Sequence, residues 1–221
     1  MTEHEKVIKE YTRYQGPVFD VVTRTISTDH GTITRDVCVH HGDSVATALF
    51  IQGDLLLISK EYRVGDQGES WGLPAGMQEP GETPIQTAFR ELKEELGIDG
   101  IEPEDVEDIA EDIGYISSSA GFVQEKVHVV CIDLGYKNYG TTERKWDSDE
   151  FINSYQFINY RDAIDWMKEY QENSDESPKI MDSRFYVAAA HQLNKDLNDT
   201  EDELDMAYED EMRECENGED Y

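Results

Sequence analysis

Gly76-Met77-Gln78-Glu79-Pro80-Gly81-Glu82-Thr83-Pro84-Ile85-Gln86-Thr87-Ala88-Phe89-Arg90-Glu91-Leu92-Lys93-Glu94-Glu95-Leu96-Gly97-Ile98 is the stretch on which the reading of this chain turns. In its second half Ile85, Ala88, Phe89, Leu92 and Leu96 recur at three- and four-residue spacing. That single apolar stripe predicts a helix over residues 83–96, with Gly97 as its C-cap. Glu91 and Glu95 are four apart and share one face of this helix; Glu94 stands beside them and faces Arg90 at the same spacing. Like charges so placed cost only about 0.2–0.5 kcal/mol on an exposed helix. Taken alone, the cluster is therefore readable as a solvated face.

The rest of the chain frames that choice. Fifty acidic residues against 19 basic ones give a formal net charge of −31. Such a surface repels phosphate backbones and anionic lipid, which argues against nucleic acid and membranes as partners. It would repel a nucleotide too, unless a cation bridges the two. Hydrophobic residues make up 38% of the 221, enough for one domain with part of the chain outside its core. Cys38, Cys131 and Cys215 are far apart and show no zinc or disulfide spacing, consistent with a reducing compartment. The polar N-terminus and the lack of 18 consecutive apolar residues set a cytoplasmic location as the expectation.

Along the chain, residues 1–16 are polar and helix-compatible. Residues 18–28 and 32–40 are rich in β-branched side chains and flank Asp29-His30-Gly31, which reads as a hairpin. A second strand pair is expected at 44–51 and 55–62, then a long loop over 64–81. Strands are expected at 127–134 and 151–158, helices at 160–170 and 182–197. Residues 200–221 hold eleven acidic side chains against Arg213, a density that predicts a disordered tail. The expected division is an N-terminal region 1–43, a main domain 44–198 and an acidic tail 199–221.

Spacing makes the glutamate cluster specific. Gly76, five residues, Glu82, seven residues, then Arg90-Glu91-Leu92-Lys93-Glu94-Glu95-Leu96-Gly97-Ile98 resembles the Nudix box at nine of nine defining positions. A chance match in a chain of this size is on the order of one in a million. The resemblance implies an α/β fold: the Nudix α/β/α sandwich with a mixed β-sheet, plus an N-terminal antiparallel strand pair. It also implies a magnesium-dependent hydrolase of pyrophosphate bonds, with manganese as a substitute. Hard cations neutralise pyrophosphate oxygens and lower the pKa of bound water, which supplies the positive charge this chain lacks. By the same resemblance Glu91, Glu95 and the carbonyl of Ala75 hold the metal, and Glu94, with Glu95 among the catalytic residues, is a partner of the metal or of its water network. Glu82 and Arg90 form an ion pair, Gly76 and Gly81 serve the loop backbone, and Gly97 ends the helix.

Outside the box the chain resembles the ADP-ribose pyrophosphatase-like branch over residues 18–195. The residues that carry this are Glu61-Tyr62-Arg63, Leu73-Pro74-Ala75-Gly76, the segment 115–121 with Glu125, Asp147-Ser148-Asp149-Glu150-Phe151-Ile152, and Lys179-Ile180-Met181-Asp182. The branch implies Glu150 as further metal ligand or general base, with Asp149 as fallback. Arg63, Tyr62 and Trp71 (with Phe19) are its candidates for substrate binding, and a homodimer formed through the N-terminal strands is implied. Ala120 and Ser148 depart from the branch pattern, and Gly72 stands where the branch more often has glutamate. Trp71-Gly72-Leu73-Pro74 resembles the generic Nudix pattern, seen also in hydrolases of nucleoside triphosphates or dinucleoside polyphosphates, which sets the alternative substrate. A catalytically silent ligand sensor is the alternative outside the enzymes, and the intact box argues against it.

Overall fold

The computed structural model describes residues 6–52, 54–65, 67–101, 106–136, 140–141, 152–173 and 180–217. Its first element, β1 (Lys6–Gln15), replaces the helix-compatible reading of residues 1–16. Val7, Ile8, Tyr11, Thr12 and Tyr14 favour extended backbone, and pairing supplies the ladder: β1 runs antiparallel to β2 (Phe19–Thr28), from Lys6 opposite Ser27 to Gln15 opposite Asp20. β2 pairs along its whole length with β3 (Gly31–His40), Phe19 opposite His40 and Thr28 opposite Gly31. The N-terminal strand pair is thus part of a three-stranded antiparallel unit.

β4 (Ser44–Ile51) and β5 (Leu55–Arg63) pair only at their hairpin end, Phe50 opposite Leu56 and Ile51 opposite Leu55. Beyond it they part. The segment expected as one long loop holds two strands here, β6 (Gly68–Gly72) on β5 and β7 (Ala75–Met77) on β4. Its many glycines concealed them. At Gly72 the reason is space, since a Cβ there would lie 2.9 Å from the Asp182 Cβ.

The chain continues through α1 (Pro84–Leu96), β8 (Ile98–Asp99), α2 (Val106–Ile109), β9 (Ala110–Ile116), β10 (Val123–Gln124), β11 (Val127–Asp133), β12 (Gly140–Thr141) and β13 (Ile152–Asn159). A 3-10 turn at Tyr160–Asp162 leads into α3 (Ala163–Asn173), then β14 (Ile180–Met181) and α4 (Ser183–Asn217). The central sheet has the order β14-β6-β5-β4-β11-β9, with β13 also on β5. It is mixed: β11 runs parallel to β4 and antiparallel to β9. The N-terminal sheet is β1-β2-β3-β10.

Two apolar cores cover the two faces of the central sheet, and strand alternation assigns side chains to them. Ala46, Ala48 and Phe50 of β4 pack with Val129 of β11 against Phe185, Ala188 and Ala189 of α4. Val45, Leu49 and Ile51 pack with Val130 and Ile132 against Ala88, Leu92 and Leu96 of α1. The result is an α/β/α sandwich, with α1 on one face and α4 on the other.

α4 differs from expectation. It continues to Asn217, well past the end expected near Leu197 and into the acidic segment. Residues 183–217 contain neither glycine nor proline, and Gly218 is the first such breaker. Like-charge pairs at helical spacing cost only about 0.2–0.5 kcal/mol each, so no strong stop signal precedes that glycine. Among the described residues no helix is long and apolar enough to cross a membrane.

Candidate metal centre and active site

α1 is terminated at both ends by short-range chemistry. Thr83 is its N-cap: its hydroxyl accepts from the Gln86 N–H at 3.3 Å, while Gln86 Oε1 accepts from the Thr83 N–H at 2.8 Å. This reciprocal capping box satisfies two otherwise orphaned donors. Pro84 follows at the first helical position, where no N–H is needed. Gly97 closes the other end at φ 68°, and its N–H reaches the carbonyls of Leu92 and Lys93.

The helix turns Thr87, Ala88, Glu91, Leu92, Glu95 and Leu96 inward. Glu91 and Glu95 are 4% and 3% exposed, a degree of burial that ionised carboxylates rarely have without a partner. This excludes the solvated-face reading of the cluster. Glu94, by contrast, is 41% exposed at its side chain.

One guanidinium ties these parts together. Arg90 donates to Glu82 through Nε (2.9 Å) and Nη2 (3.2 Å), to Glu91 Oε1 (2.8 Å) and Glu94 Oε2 (3.0 Å) through Nη1, and to the Met77 carbonyl (2.9 Å). A forked cation matches paired carboxylates in this way. Hydrogen bonding from Arg90 holds the Glu82 carboxyl down at about 2, and Glu82 in turn pushes Arg90 further above its ordinary value. Thr87 Oγ1 also donates to Glu82, at 2.8 Å, and the Gln78 side-chain amide donates through Nε2 to the Glu82 carbonyl. Sequence reasoning passed over Thr87, Gln78 and the capping box, although Thr83-Pro84-Ile85-Gln86 carries the box's signature.

Gly76 has a role different from the one expected. Its φ is not in the left-handed region, whereas that of Gly81 is +93°. Gly76 sits in β7 opposite Val45, and a Cβ there would lie 1.8 Å from Glu91 Oε1. The glycine is needed for room, because the Glu91 carboxylate lies directly against the strand. Ala75 precedes it in the same strand.

These residues make an oxygen-only donor set: two buried carboxylates and, from Ala75, a backbone carbonyl. That chemistry fits a hard divalent cation such as magnesium, and the Glu91 carboxylate already fills the place a side chain on β7 would take. Among the described residues no group of three or more His, Cys, Asp or Glu side chains is arranged to hold a metal. Drawn from the described residues, a fuller set would use main-chain oxygen, water and substrate. Glu150, with Asp147, Ser148 and Asp149, lies outside the described residues.

The other candidates are scattered. Trp71 is in the α4-side core, edge-on to Trp166 at 5.9 Å with Lys60 Nζ 5.7 Å from its ring. Tyr62 is 42% exposed on β5. Arg63, beside it, pairs with Glu61 at 2.9 Å. Arg63 lies opposite Gly68, four residues along β6 from Gly72, roughly 13 Å by strand rise. Phe19 stacks on His40 at 5.8 Å. Among the described candidates, the box residues alone are brought together tightly.

The fold and this glutamate-bearing helix define a class. Residues 40–182 match the NUDIX domain family, and the chain belongs to it. The chain is 28% identical over 148 residues to the ADP-ribose pyrophosphatase of Bacillus subtilis (strain 168), covering 67% of this chain and 75% of that protein. It is 26% identical over 191 residues to the methanol dehydrogenase activator of Bacillus methanolicus, 85% of this chain and 91% of that one. To the ADP-ribose pyrophosphatase of Mycobacterium tuberculosis (strain ATCC 25618 / H37Rv) it is 30% identical over 146 residues, 65% and 66%. A crystal structure of an ADP compounds hydrolase shares the fold, with a TM-score of 0.66 at 17% identity, over 90% of this chain and 97% of that one.

Proposed function

We propose that this Nudix protein hydrolyses the pyrophosphate of ADP-ribose, or of a related nucleoside diphosphate sugar, to a nucleoside monophosphate and a sugar phosphate. The observation that carries the reading is the pair of buried carboxylates, Glu91 and Glu95, facing the sheet beside the glycine that makes room for one of them. The two relatives named as ADP-ribose pyrophosphatases support the substrate.

Glu91, Glu95 and the Ala75 carbonyl would hold magnesium, or manganese in its place. Bound there, the metal would supply charge neutralisation to the pyrophosphate and acidity to a water. The residues of the chain do the rest. Arg90 holds the Glu91 oxygen in place and anchors the helix to the preceding loop through Glu82. Glu94, more open to solvent, is suited to hold a water at the mouth of the site. Glu150 is our proposal for the general base, with Asp149 as the fallback.

We place the protein in the cytoplasm as a homodimer. The dimer reading rests on the N-terminal sheet, whose outer strand β1 is exposed along all ten residues. Val7, Ile8, Tyr14 and Ile33 stand 39–55% exposed there, apolar side chains on a sheet whose outer strand edge is, among the described residues, of the kind a second copy covers.

Turnover with magnesium should be compared for ADP-ribose, a sugar nucleotide of another base and dATP, on wild type and Glu95→Gln. ADP-ribose should be fastest, and Glu95→Gln should lose orders of magnitude in turnover while keeping its melting temperature. A faster reaction with dATP favours the nucleoside triphosphate reading, to which the Gly72 position points. Near-normal activity of Glu95→Gln removes the metal assignment.

A further inference from the structure

Thr47, in the middle of β4, is fully buried, and among the described residues its hydroxyl has no hydrogen-bond partner. Its main chain is engaged, with the N–H donating to the Pro74 carbonyl at 2.8 Å. Leaving a buried hydroxyl unmatched is destabilising, whereas valine would fill the same space without that cost. A group of this kind calls for a physical explanation.

Its place in the fold offers one. Ala46 and Ala48 face the α4 side, and Val45 and Leu49 the α1 side, so alternation puts the Thr47 side chain under α1. Val45, two residues earlier on that face, lies opposite Gly76, where a Cβ would meet the Glu91 carboxylate. Thr47 thus stands one strand repeat, roughly 6–7 Å, along from the position against which that carboxylate packs. The polar side chains that α1 turns inward are Thr87, Glu91 and Glu95, and the Thr87 hydroxyl is already committed to Glu82. Among these inward side chains of α1, the carboxylates of Glu91 and Glu95 are acceptors that can take a further donor.

We propose that Thr47 is a positioning residue of the metal centre: its hydroxyl donates to the Glu91–Glu95 carboxylate pair when that pair holds a divalent cation, and fixes its orientation. Groups hydrogen-bonded behind metal ligands act in this way, and their loss typically costs 10- to 100-fold in metal affinity. The inference rests on the reading of Glu91 and Glu95 as metal ligands.

Mn2+ binding to the full chain, followed by calorimetry alongside cation-free melting temperature, tests it. Thr47→Val should melt at or above wild type without cation, because an unmatched hydroxyl is gone, yet bind Mn2+ about tenfold or more weakly. Thr47→Ser should bind within a few-fold of wild type. Wild-type affinity in Thr47→Val overturns the inference while leaving the metal reading intact. Should Thr47→Val fail to fold, Thr47→Ser against Thr47→Ala isolates the same hydroxyl, and equal affinities overturn it. If the wild type does not bind Mn2+, the metal reading fails and this inference with it.

Discussion

The segment from β7 to α1 and the sheet of β1, β2 and β3 solve the problem of burial in opposite ways. The first closes on itself. Within 22 residues, 76 to 97, it caps its helix at both ends and spends one guanidinium on three carboxylates and a carbonyl. It also fits a carboxylate against a strand so closely that only glycine is tolerated. The second pairs its strands with one another, yet leaves Val7, Ile8, Tyr14 and Ile33 in solvent. Hydrogen bonding can be finished locally, whereas apolar surface needs a neighbour. The two regions should therefore answer mutation differently, the first in catalysis and folding, the second in association.

The largest contrast should come from Gly76→Ala. The new methyl would fall 1.8 Å from Glu91 Oε1, and the end of that side chain can give way more easily than paired backbone. Turnover should drop by roughly two orders of magnitude or more, while stability falls by about 1–3 kcal/mol. Parallel kinetics and denaturant melts check this; activity within a few-fold of wild type would show that the Glu91 position is not critical.

Next comes Ile8→Asp on the outer strand. It should weaken self-association by about tenfold or more, which corresponds to about 1.4 kcal/mol, with no large change in the chain's own melt at low concentration. Light scattering across a dilution series reads it. A protein that is monomeric before mutation ends the homodimer reading.

The smallest expected effect is that of Glu82→Gln, about 1–2 kcal/mol at neutral pH, since the ion pair with Arg90 is only part-buried. Its pH signature is more specific. The Glu82 carboxyl is held at about 2, below its ordinary 4.5. Its stabilisation is therefore fully present above pH 4.5 and is lost as the pH falls through about 2. Stability of Glu82→Gln should decline less steeply than wild type across that window. Parallel curves would remove the Arg90–Glu82 pair as the cause.

How much of this was legible beforehand differs by element. α1 was readable because its apolar stripe, its stop at Gly97 and its box spacing are all local in sequence. The hairpin at 29–31 and the strands on either side were readable for the same reason. β6 and β7 were not, because their glycines report tertiary space, as Gly72 beside Asp182 and Gly76 beside Glu91 demonstrate. β1 was misread because exposed polar residues on a paired strand show no periodicity, and its extended state is decided by β2. The length of α4 was hidden by its charge density, which does not stop a helix that meets no breaker before Gly218.

The sequence by itself determined the chemistry: residue types at set spacing, with Arg90, Glu91, Glu94 and Glu95 neighbours by helix geometry alone and Glu82 in the loop just before the helix. Tertiary structure alone decided which of those carboxylates is buried, why Gly76 must lack a side chain, and that the Thr47 hydroxyl lies on the α1 side of the sheet without a partner among the described residues. Spacing along one helix is a local property. Contact between a helix and the strands beneath it depends on how distant segments pack.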